Sequence, residues 1–374
     1  MNILVHICLF LIVLFLYVYV MNQFKKSEDL DIYEMDYSSN QYLQEICEIR
    51  QPVLFNFFTV DPNFFYDLSH RSIVKYGSYD VKIKDAHDYY KETKNVDAVA
   101  LSLTSTMNLF ENDNAAHFFS ENNEDFLDES GMLKIVQSMD DYLKPEFTIR
   151  RNYDLCFGSA NSVTPLRYHT YYRQFLCVTT GKIHVKMTPW KSHKYLHPVV
   201  DYENYEFRSP VHPVNPQPHF MKDYDKTKFI EFDVLKGYVL YIPPYWWYSI
   251  EYSEANTFVA GVSYTTIMNC VSNLPNLTIH WLQQQNITKK ITKIKPPGQK
   301  EVILEQEQEK EQMPLSVDTK VDFSTEVNQD NLIRETVSEP IRETMRETIR
   351  EPIRETVREE PQPSTEEAVV MDNI

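Results

Sequence analysis

The chain has 374 residues, with 37 Lys and Arg against 54 Asp and Glu, so that its formal net charge is −17. Hydrophobic residues make up 43% of the chain and aromatic residues 13%, which is enough to build a core and excludes a wholly disordered protein. The acidic balance argues against binding to nucleic-acid phosphates, and no nucleic-acid partner is expected. The cysteines at 8, 47, 156, 177 and 270 form no close pair, so neither a zinc knuckle nor a disulfide scaffold is encoded.

An apolar segment opens the chain. Ile3–Val20 is broken only by His6. As a helix it would be about 27 Å long, close to the roughly 30 Å thickness of a bilayer's hydrocarbon core. We therefore predict that residues 1–26 form a transmembrane anchor and that residues 3–20 contact the membrane.

A cleaved signal peptide is the alternative for this segment. It would need a basic residue before the apolar run and small residues at a cleavage site, whereas Tyr17 and Tyr19 stand near its end. The flanks favour an uncleaved, single-pass anchor. Lys25 and Lys26 follow the run, and the positive-inside rule then predicts a cytoplasmic body.

Residues 27–288 have the composition of a folded body. Tyr42–Arg50 has the apolar spacing of a helix and leads into a β-prone run over residues 51–58. Residues 112–145 are predicted to be helical in patches, with residues 128–130 as a cap before a helical stretch at Met132–Leu143.

After Phe147 the pattern changes to short runs of aromatic and β-branched residues between Pro, Asn and Gly. Many short strands at this spacing predict a mainly β sandwich or barrel, with the helices at its N-terminal side. The predicted strands are Asp154–Gly158, Phe175–Thr180, Ile183–Met187, Phe229–Val234, Tyr238–Ile242 and Thr257–Tyr264.

The last part of the chain, residues 289–374, has a different composition. Phe323 is its single aromatic residue, so it cannot bury enough apolar area to offset the entropy of ordering. Residues 333–360 read as four-residue repeats of the type Ile-Arg-Glu-Thr. We predict a disordered charged tail, which is either a solvated product of replication slippage or a docking arm.

Two stretches of the body carry distinctive motifs. The first contains Gly158, Val163-Thr164-Pro165, Tyr168-His169, Gln174-Phe175-Leu176 and Thr180-Gly181-Lys182. The second is Lys236-Gly237-Tyr238-Val239-Leu240-Tyr241-Ile242-Pro243-Pro244-Tyr245-Trp246-Trp247-Tyr248.

These motifs resemble the JmjC/cupin-like Fe(II)- and 2-oxoglutarate-dependent oxygenases. In that family the first stretch reads Val-Thr-Pro, His-x-Asp, Asn-Phe-Leu and Gly-x-Lys, and the second ends in Ile-Pro-x-x-Trp-Trp-His. Within that family, the motifs of this chain are similar to those of the asparaginyl hydroxylase that acts on hypoxia-inducible factor. The resemblance covers most of residues 40–270 and implies a double-stranded β-helix of the cupin or jelly-roll type.

The resemblance also implies an Fe(II) site made of two His and one carboxylate. Alignment on Phe175-Leu176 puts Tyr168 and Thr170 in place of the first His and the acid, and Tyr248 in place of the distal His. A one-residue insertion would give the first position to His169 and the acid position to Tyr171. Neither alignment supplies a carboxylate.

The 2-oxoglutarate lysine of the hydroxylase falls on Ile183, with Lys182 and Lys186 nearby. With the metal ligands and this cation substituted together, we predict a degenerate site with no metal and no cofactor. The residues predicted to line the remaining pocket are Tyr168, Tyr171, Gln174, Ile183, Tyr245, Trp247 and Tyr248.

Other candidate sites are read as structural. His193 and His197 lie four residues apart between Pro189 and Pro198, and they are predicted to be surface residues of a loop. The carboxylate pairs Asp140-Asp141 and Glu121/Glu124 are read as solvated faces rather than catalytic dyads.

Three hypotheses follow. The leading one is a membrane-anchored, catalytically degenerate cupin-like protein that serves as a binding or structural module for an unidentified protein partner. The second is an active protein hydroxylase that uses Fe(II) and 2-oxoglutarate through atypical ligands such as His169. The third is a structural component, for instance of a large DNA virus. Few Gly and plentiful Tyr, Asn, Ile and Lys, as an AT-rich genome encodes, are compatible with this hypothesis, and so is the tail.

Overall fold

The structure is a computed structural model that describes residues 2–91 and 96–293, with side chains described for residues 3–91 and 96–285. Most of the predicted tail, including the repeats at 333–360, therefore lies outside the described residues. The helices are α1 Asn2–Gln23, α2 Asn40–Cys47, α3 Pro62–Asp67, α4 His70–Ile73, α5 Leu103–Asn112, α6 Glu124–Glu129, α7 Leu133–Gln137, α8 Asp140–Leu143, α9 Met221–Tyr224, α10 Ile267–Ser272 and α11 Leu274–Lys293, and short 3₁₀ helices occupy Val74–Tyr76, Ala86–Tyr90 and Trp190–Tyr195.

The strands are short and numerous, as predicted for a mainly β protein. They are β1 Tyr33–Met35, β2 Val53–Asn56, β3 Asp80–Asp85, β4 Val99–Ser102, β5 Phe118–Ser120, β6 Thr148–Gly158, β7 Ser162–Val163, β8 Arg167–Tyr168, β9 Arg173–Thr180, β10 Lys182–Thr188, β11 Val199–Asp201, β12 Glu206–Arg208, β13 Ile230–Leu235, β14 Tyr238–Ile242, β15 Trp247–Tyr252 and β16 Phe258–Thr266. All six strands predicted after Phe147 are confirmed, with ends shifted by a few residues at most except in β6, which begins earlier.

The strands form two sheets. The larger has the order β1-β2-β14-β9-β16-β6-β5-β3-β4, and the smaller has the order β11-β12-β8-β15-β10-β13, with β7 paired to β15. Side chains of both sheets meet in one buried core, for example Leu240 and Val259 from the larger sheet and Val185 and Ile250 from the smaller one. Two sheets around a shared core form the double-stranded β-helix that the sequence predicts.

Strand β10 shows how alternation builds this layer. Ile183, Val185 and Met187 are buried, since successive side chains of a strand point to opposite faces. The alternate residues of β10 face outward beside β13. There Lys182 pairs with Asp233 and Lys186 pairs with Glu231. The lysines considered for 2-oxoglutarate therefore pair with carboxylates on the outer face of the barrel.

Helix α2 confirms the helix predicted from Tyr42. Ser39 caps its N-terminus by accepting a hydrogen bond from the Tyr42 N–H, and the helix buries Leu43 and Cys47. Strand β2 follows and pairs with β14. The Nε1–H of Trp246 donates to the Arg50 carbonyl at 3.1 Å, which holds this N-terminal segment against the Trp-Trp motif.

Helical patches occur between residues 112 and 145 as predicted, but the cap predicted at residues 128–130 is wrong and Met132–Leu143 is not one continuous helix. The segment breaks into α7 and α8, and Ser130 ends α6 instead of starting the next helix. Gly131 follows with φ +75°, a conformation that ends a helix and is cheapest for glycine. At the second break the Ser138 hydroxyl donates to the Ile135 carbonyl, a local bond that competes with continuation of the helix.

Helix α1 confirms that the N-terminal apolar run is helical. Ile3–Gln23 is long and apolar enough to cross a membrane, although a signal sequence would have the same properties. Its apolar side chains are exposed along most of its length, whereas Gln23 at its end is buried. Just beyond it, the Lys26 ammonium lies 3.8 Å from the centre of the Trp190 ring.

Candidate functional site

A cavity of about 350 Å³ opens between the two sheets. Strands β6, β9 and β16 of the larger sheet and β8, β12 and β15 of the smaller sheet supply most of its walls. Six of the positions singled out in the sequence line it, and these are Tyr168, His169, Thr170, Tyr171, Gln174 and Tyr248.

Strand register determines what faces Tyr248, the position of the distal His. Tyr248 of β15 pairs directly with Arg167 of β8, and the Arg167 guanidinium lies 5.6 Å from the centre of the Tyr248 ring. His169, two residues after Arg167, has its ring centre 6.3 Å from that of Tyr248. Gln174 donates from Nε2 to the Tyr248 hydroxyl at 3.2 Å. The groups around Tyr248 are therefore a cation, an imidazole and an amide.

Arg167 is held in a buried network of four charges. Its two terminal nitrogens bind both oxygens of Glu121, at 2.7 and 2.5 Å. Lys84 donates to the same carboxylate at 3.0 Å and to Glu206 at 2.8 Å. Two cations thus meet two carboxylates, so the formal charges balance within the network.

The pKa shifts in this network favour the charged forms. Burial alone would raise the pKa of Glu121, but Arg167 and Lys84 outweigh it and hold that pKa at about 2. Burial alone would lower the pKa of Lys84, but Glu121 and Glu206 raise it well above its usual range. Carboxylates likewise raise the pKa of Arg167 well above its usual range, so Glu121, Lys84 and Arg167 are all ionised at neutral pH.

His169 is neutral. Its side chain is only 6% exposed, and burial lowers its pKa to about 3. Its Nε2 lies 3.0 Å from the Ile242 carbonyl oxygen, and because a carbonyl only accepts, Nε2 carries the proton. Nδ1 then has a bare lone pair, and it has no hydrogen-bond partner among the described residues.

Asp154 is the carboxylate on β6 that lines the cavity. It accepts from the backbone N–H groups of Asn122 and Asn123 at 2.8 and 2.7 Å, and from the Cys156 thiol at 3.2 Å. Burial raises its pKa. Its oxygens therefore already hold the segment between β5 and α6 against β6.

Several residues that the sequence analysis assigned to one site have different surroundings in the structure. The Tyr168 ring packs against Phe207 and Trp247, with ring centres 5.0 and 4.8 Å apart. The Thr170 hydroxyl lies 3.3 Å from the Tyr205 hydroxyl. Three predicted pocket residues, Ile183, Tyr245 and Trp247, pack elsewhere: Ile183 in the core between the sheets, Tyr245 against Trp190, and Trp247 in a small cluster with Leu166 and Leu196.

The carboxylates and histidines that the sequence analysis read as surface residues differ in their surroundings. Glu121 and Asp140 do not lie on solvated faces, because Glu121 belongs to the buried network and Asp140 accepts from the buried hydroxyls of Tyr153 and Tyr264. His193 stacks on Trp190 and His197 pairs with Asp223. Sequence reasoning also missed Arg167, although the spacing Arg167-x-His169 puts both residues on one face of a strand.

The groups around Tyr248 do not fit a ferrous ion. A guanidinium has no lone pair to donate, and burial raises the pKa of the Tyr248 phenol. Among the described residues, no set of three His, Cys, Asp or Glu ligand atoms converges inside the cavity. Arg167 and Lys84 are cations that could pair with 2-oxoglutarate, but each is already bound to a carboxylate.

Comparison with known proteins identifies the family. No curated protein matches the chain significantly in sequence. The model of the family described as "Cupin-like domain" matches residues 69–271, which is more than half of the chain and includes the cavity-lining strands β6, β8, β9, β15 and β16. The chain therefore belongs to the cupin-like domain family and carries a JmjC-like cupin domain.

Proposed function

We propose that this protein is a membrane-anchored cupin-like module that has lost Fe(II)/2-oxoglutarate oxygenase activity and serves in binding. The observation that carries the proposal is the two-bonded contact of Arg167 with Glu121 beside Tyr248. It puts a fixed cation 5.6 Å from the ring centre of Tyr248, a position where the family resemblance implies a metal ligand. A positive charge at this point repels a divalent cation instead of attracting one.

The network supports this proposal in a second way. A buried charge is tolerated only when it is paired and hydrogen-bonded, and here each charge has its partner within the protein. Glu121 joins Lys84 of β3 to Arg167 of β8, and Glu206 of β12 also pairs with Lys84, so the network ties the larger sheet to the smaller one. These side chains connect the two sheets, and releasing Glu121 to bind a metal would leave the Arg167 charge buried without its carboxylate partner.

An active hydroxylase with atypical ligands is the second candidate. The bare Nδ1 of His169 favours it, because a neutral imidazole with a free lone pair is the form that binds ferrous iron. That reading requires a carboxylate released from its present partners, either Asp154 or Glu121. A structural component of a large DNA virus is the third form of the proposal, and it is supported by composition and the tail repeats alone.

Anaerobic titration of the full chain in detergent with Fe(II), with and without 2-oxoglutarate, tests the proposal. We expect no rise in the unfolding temperature that depends on 2-oxoglutarate, and we expect His169→Ala to leave iron uptake unchanged. One equivalent of iron that is lost in His169→Ala, together with stabilisation by 2-oxoglutarate, would overturn the proposal and establish the second candidate.

A further inference from the structure

A second group of metal-ligating side chains lies outside the cavity, at the end of β3 and the start of β5. It consists of Asp85, His87 and His117, and we call it the Asp–His–His cluster. One ligand atom from each residue lies within 4.8 Å of the others. Among the described residues, this is the one set of three His, Cys, Asp or Glu side chains that converges so closely.

The backbone holds these residues together. Asp85 is the last residue of β3, which pairs with β5, and the next N–H, from Ala86, donates to the His117 carbonyl at 2.7 Å. The Asp85 carboxylate accepts from the His87 N–H at 2.8 Å, and His117 donates its own N–H to Asp113 at 2.7 Å. The three positions are therefore fixed by hydrogen bonds before any ion arrives.

The side chains are also close. The ring centres of His87 and His117 are 4.0 Å apart, and Nδ1 of His87 lies 3.7 Å from an Asp85 oxygen. Ligand atoms about 2.0–2.2 Å from a tetrahedral Zn²⁺ lie roughly 3.3–3.6 Å from each other. The His87 side chain is 54% exposed, so rotation about its side-chain bonds can close this small gap.

We propose that the Asp–His–His cluster binds one divalent transition-metal ion, with Zn²⁺ as the preferred ion. Two imidazoles and one carboxylate form a borderline donor set that suits Zn²⁺, whereas Ca²⁺ and Mg²⁺ require oxygen donors. The exposed side of the cluster leaves room for water as the fourth ligand. A bound ion would link the end of β3 to the residue that precedes β5, and so stabilise the pairing of these two strands of the larger sheet.

The proposal is independent of the interior site, but it changes how metal titrations are interpreted. Fe(II) also binds to sets of two His and one carboxylate. Iron uptake by the full chain would therefore not by itself show an active cavity. Uptake at the Asp–His–His cluster would be lost in His87→Ala/His117→Ala and kept in His169→Ala, and uptake in the cavity would show the opposite pattern.

The test is calorimetric titration of the chelator-stripped full chain with Zn²⁺, followed by thermal unfolding with and without the ion. We expect one equivalent bound per chain, a higher unfolding temperature with Zn²⁺ by mass action, and at least a tenfold loss of affinity in His87→Ala/His117→Ala. Asp85→Asn keeps an oxygen to accept from the His87 N–H but removes the charge, and it should weaken binding without unfolding the protein.

His184→Ala is the matched control. His184 is also partly exposed and lies beside two carboxylates, with Nδ1 2.8 Å from Asp233 and Nε2 3.7 Å from Glu231, but it has no second imidazole. It should bind Zn²⁺ like the wild type. Equal binding by wild type and His87→Ala/His117→Ala, or no binding by the wild type, would overturn the proposal.

Discussion

Glu121 is the side chain on which the charge balance of the barrel interior depends. It is buried and accepts from two cations, Arg167 and Lys84, on two different sheets. Removing one partner of a buried ion pair is costly because the opposite charge stays behind without compensation. In this network two opposite charges would be left, of which only Lys84 keeps a second carboxylate, Glu206.

Glu121→Gln should therefore lower the free energy of unfolding by about 3 kcal/mol at pH 7. Asp125→Asn is the control, because Asp125 pairs with Lys82 at 2.7 Å but is 75% exposed, and exposed pairs contribute less than about 1 kcal/mol. Urea unfolding of both variants measures the difference. Equal, small losses in the two variants would mean that the Glu121 network does not stabilise the barrel.

The same carboxylate gives a pH dependence. Its folded pKa of about 2 lies below the value of about 4.3 for an unfolded Glu, so its stabilisation is present above pH 5 and lost as the pH falls toward 2. The difference corresponds to about 3 kcal/mol. Wild type should thus lose more stability than Glu121→Gln between pH 5 and pH 2.5. Parallel acid curves in chemical denaturation would contradict this expectation.

The burial of Glu121 could not be predicted from the sequence. Glu121 and Glu124 look alike in the sequence, because the residues directly before and after each of them are polar. What separates them is pairing with Lys84 and Arg167, which lie 37 and 46 residues away along the chain. These groups meet only because of how the strands of the two sheets are paired and aligned. That alignment cannot be inferred from the composition around Glu121.

At the scale of elements, α2 docks on the larger sheet through buried guanidinium groups. Arg173 at the start of β9 is fully buried and binds Gln44 of α2 at 3.0 Å and Glu48 at 2.5 Å. Arg50 is also buried, 3.8 Å from the same Glu48, and its three side-chain nitrogens have no hydrogen-bond partner among the described residues. One partly exposed carboxylate therefore neutralises two buried cations.

An asymmetry in stability follows. Glu48→Gln leaves both guanidinium groups buried without a counter-ion and should cost about 3–5 kcal/mol. Arg173→Met should cost less, because Glu48 keeps Arg50 and can also reach water. Glu45→Gln, at an exposed position of the same helix, is the control and should stay within about 0.5 kcal/mol of wild type. If Arg173→Met proves the more damaging change, packing rather than charge fixes α2.

Prediction worked best where an element's pattern is complete in itself. Tyr238–Ile242 is apolar throughout and lies between Gly237 and Pro243, and its predicted bounds are those of β14. The stretch Met132–Leu143 is not one helix although its apolar spacing is continuous, because the Ser138 hydroxyl bonds to the Ile135 carbonyl inside it, and Gly131 separates it from the residues predicted to cap it. Apolar spacing shows which residues face the core, but backbone conformation decides whether they share one element.

At the scale of the whole molecule, α1 can lie against the protein body or span a membrane, but its full apolar run cannot do both. Phe15 and Tyr19, in its second half, line a groove of about 840 Å³ together with the polar side chains of Gln44, Glu45 and Lys144. The part before Phe15, residues 3–14, would span only about 18 Å, whereas a membrane helix needs about 20 residues. Membrane insertion of the full apolar run therefore requires α1 to part from α10, against which it packs, and to open this groove.

We expect the full chain, expressed in cells, to stay in the membrane pellet after alkaline carbonate extraction and to keep its N-terminus by intact mass. Leu9→Arg/Ile12→Arg places two charges near the middle of the span, at about 2.5–3.5 kcal/mol each, and should move the protein into the soluble fraction. Val214→Arg adds a charge at an exposed position of the body and should change nothing. A wild-type protein that is extracted by carbonate, or that lacks the α1 segment by mass, would show that α1 is not an anchor. The cupin-like body would then act away from the membrane. In the first case α1 would stay beside the groove, and in the second case cleavage would have removed it.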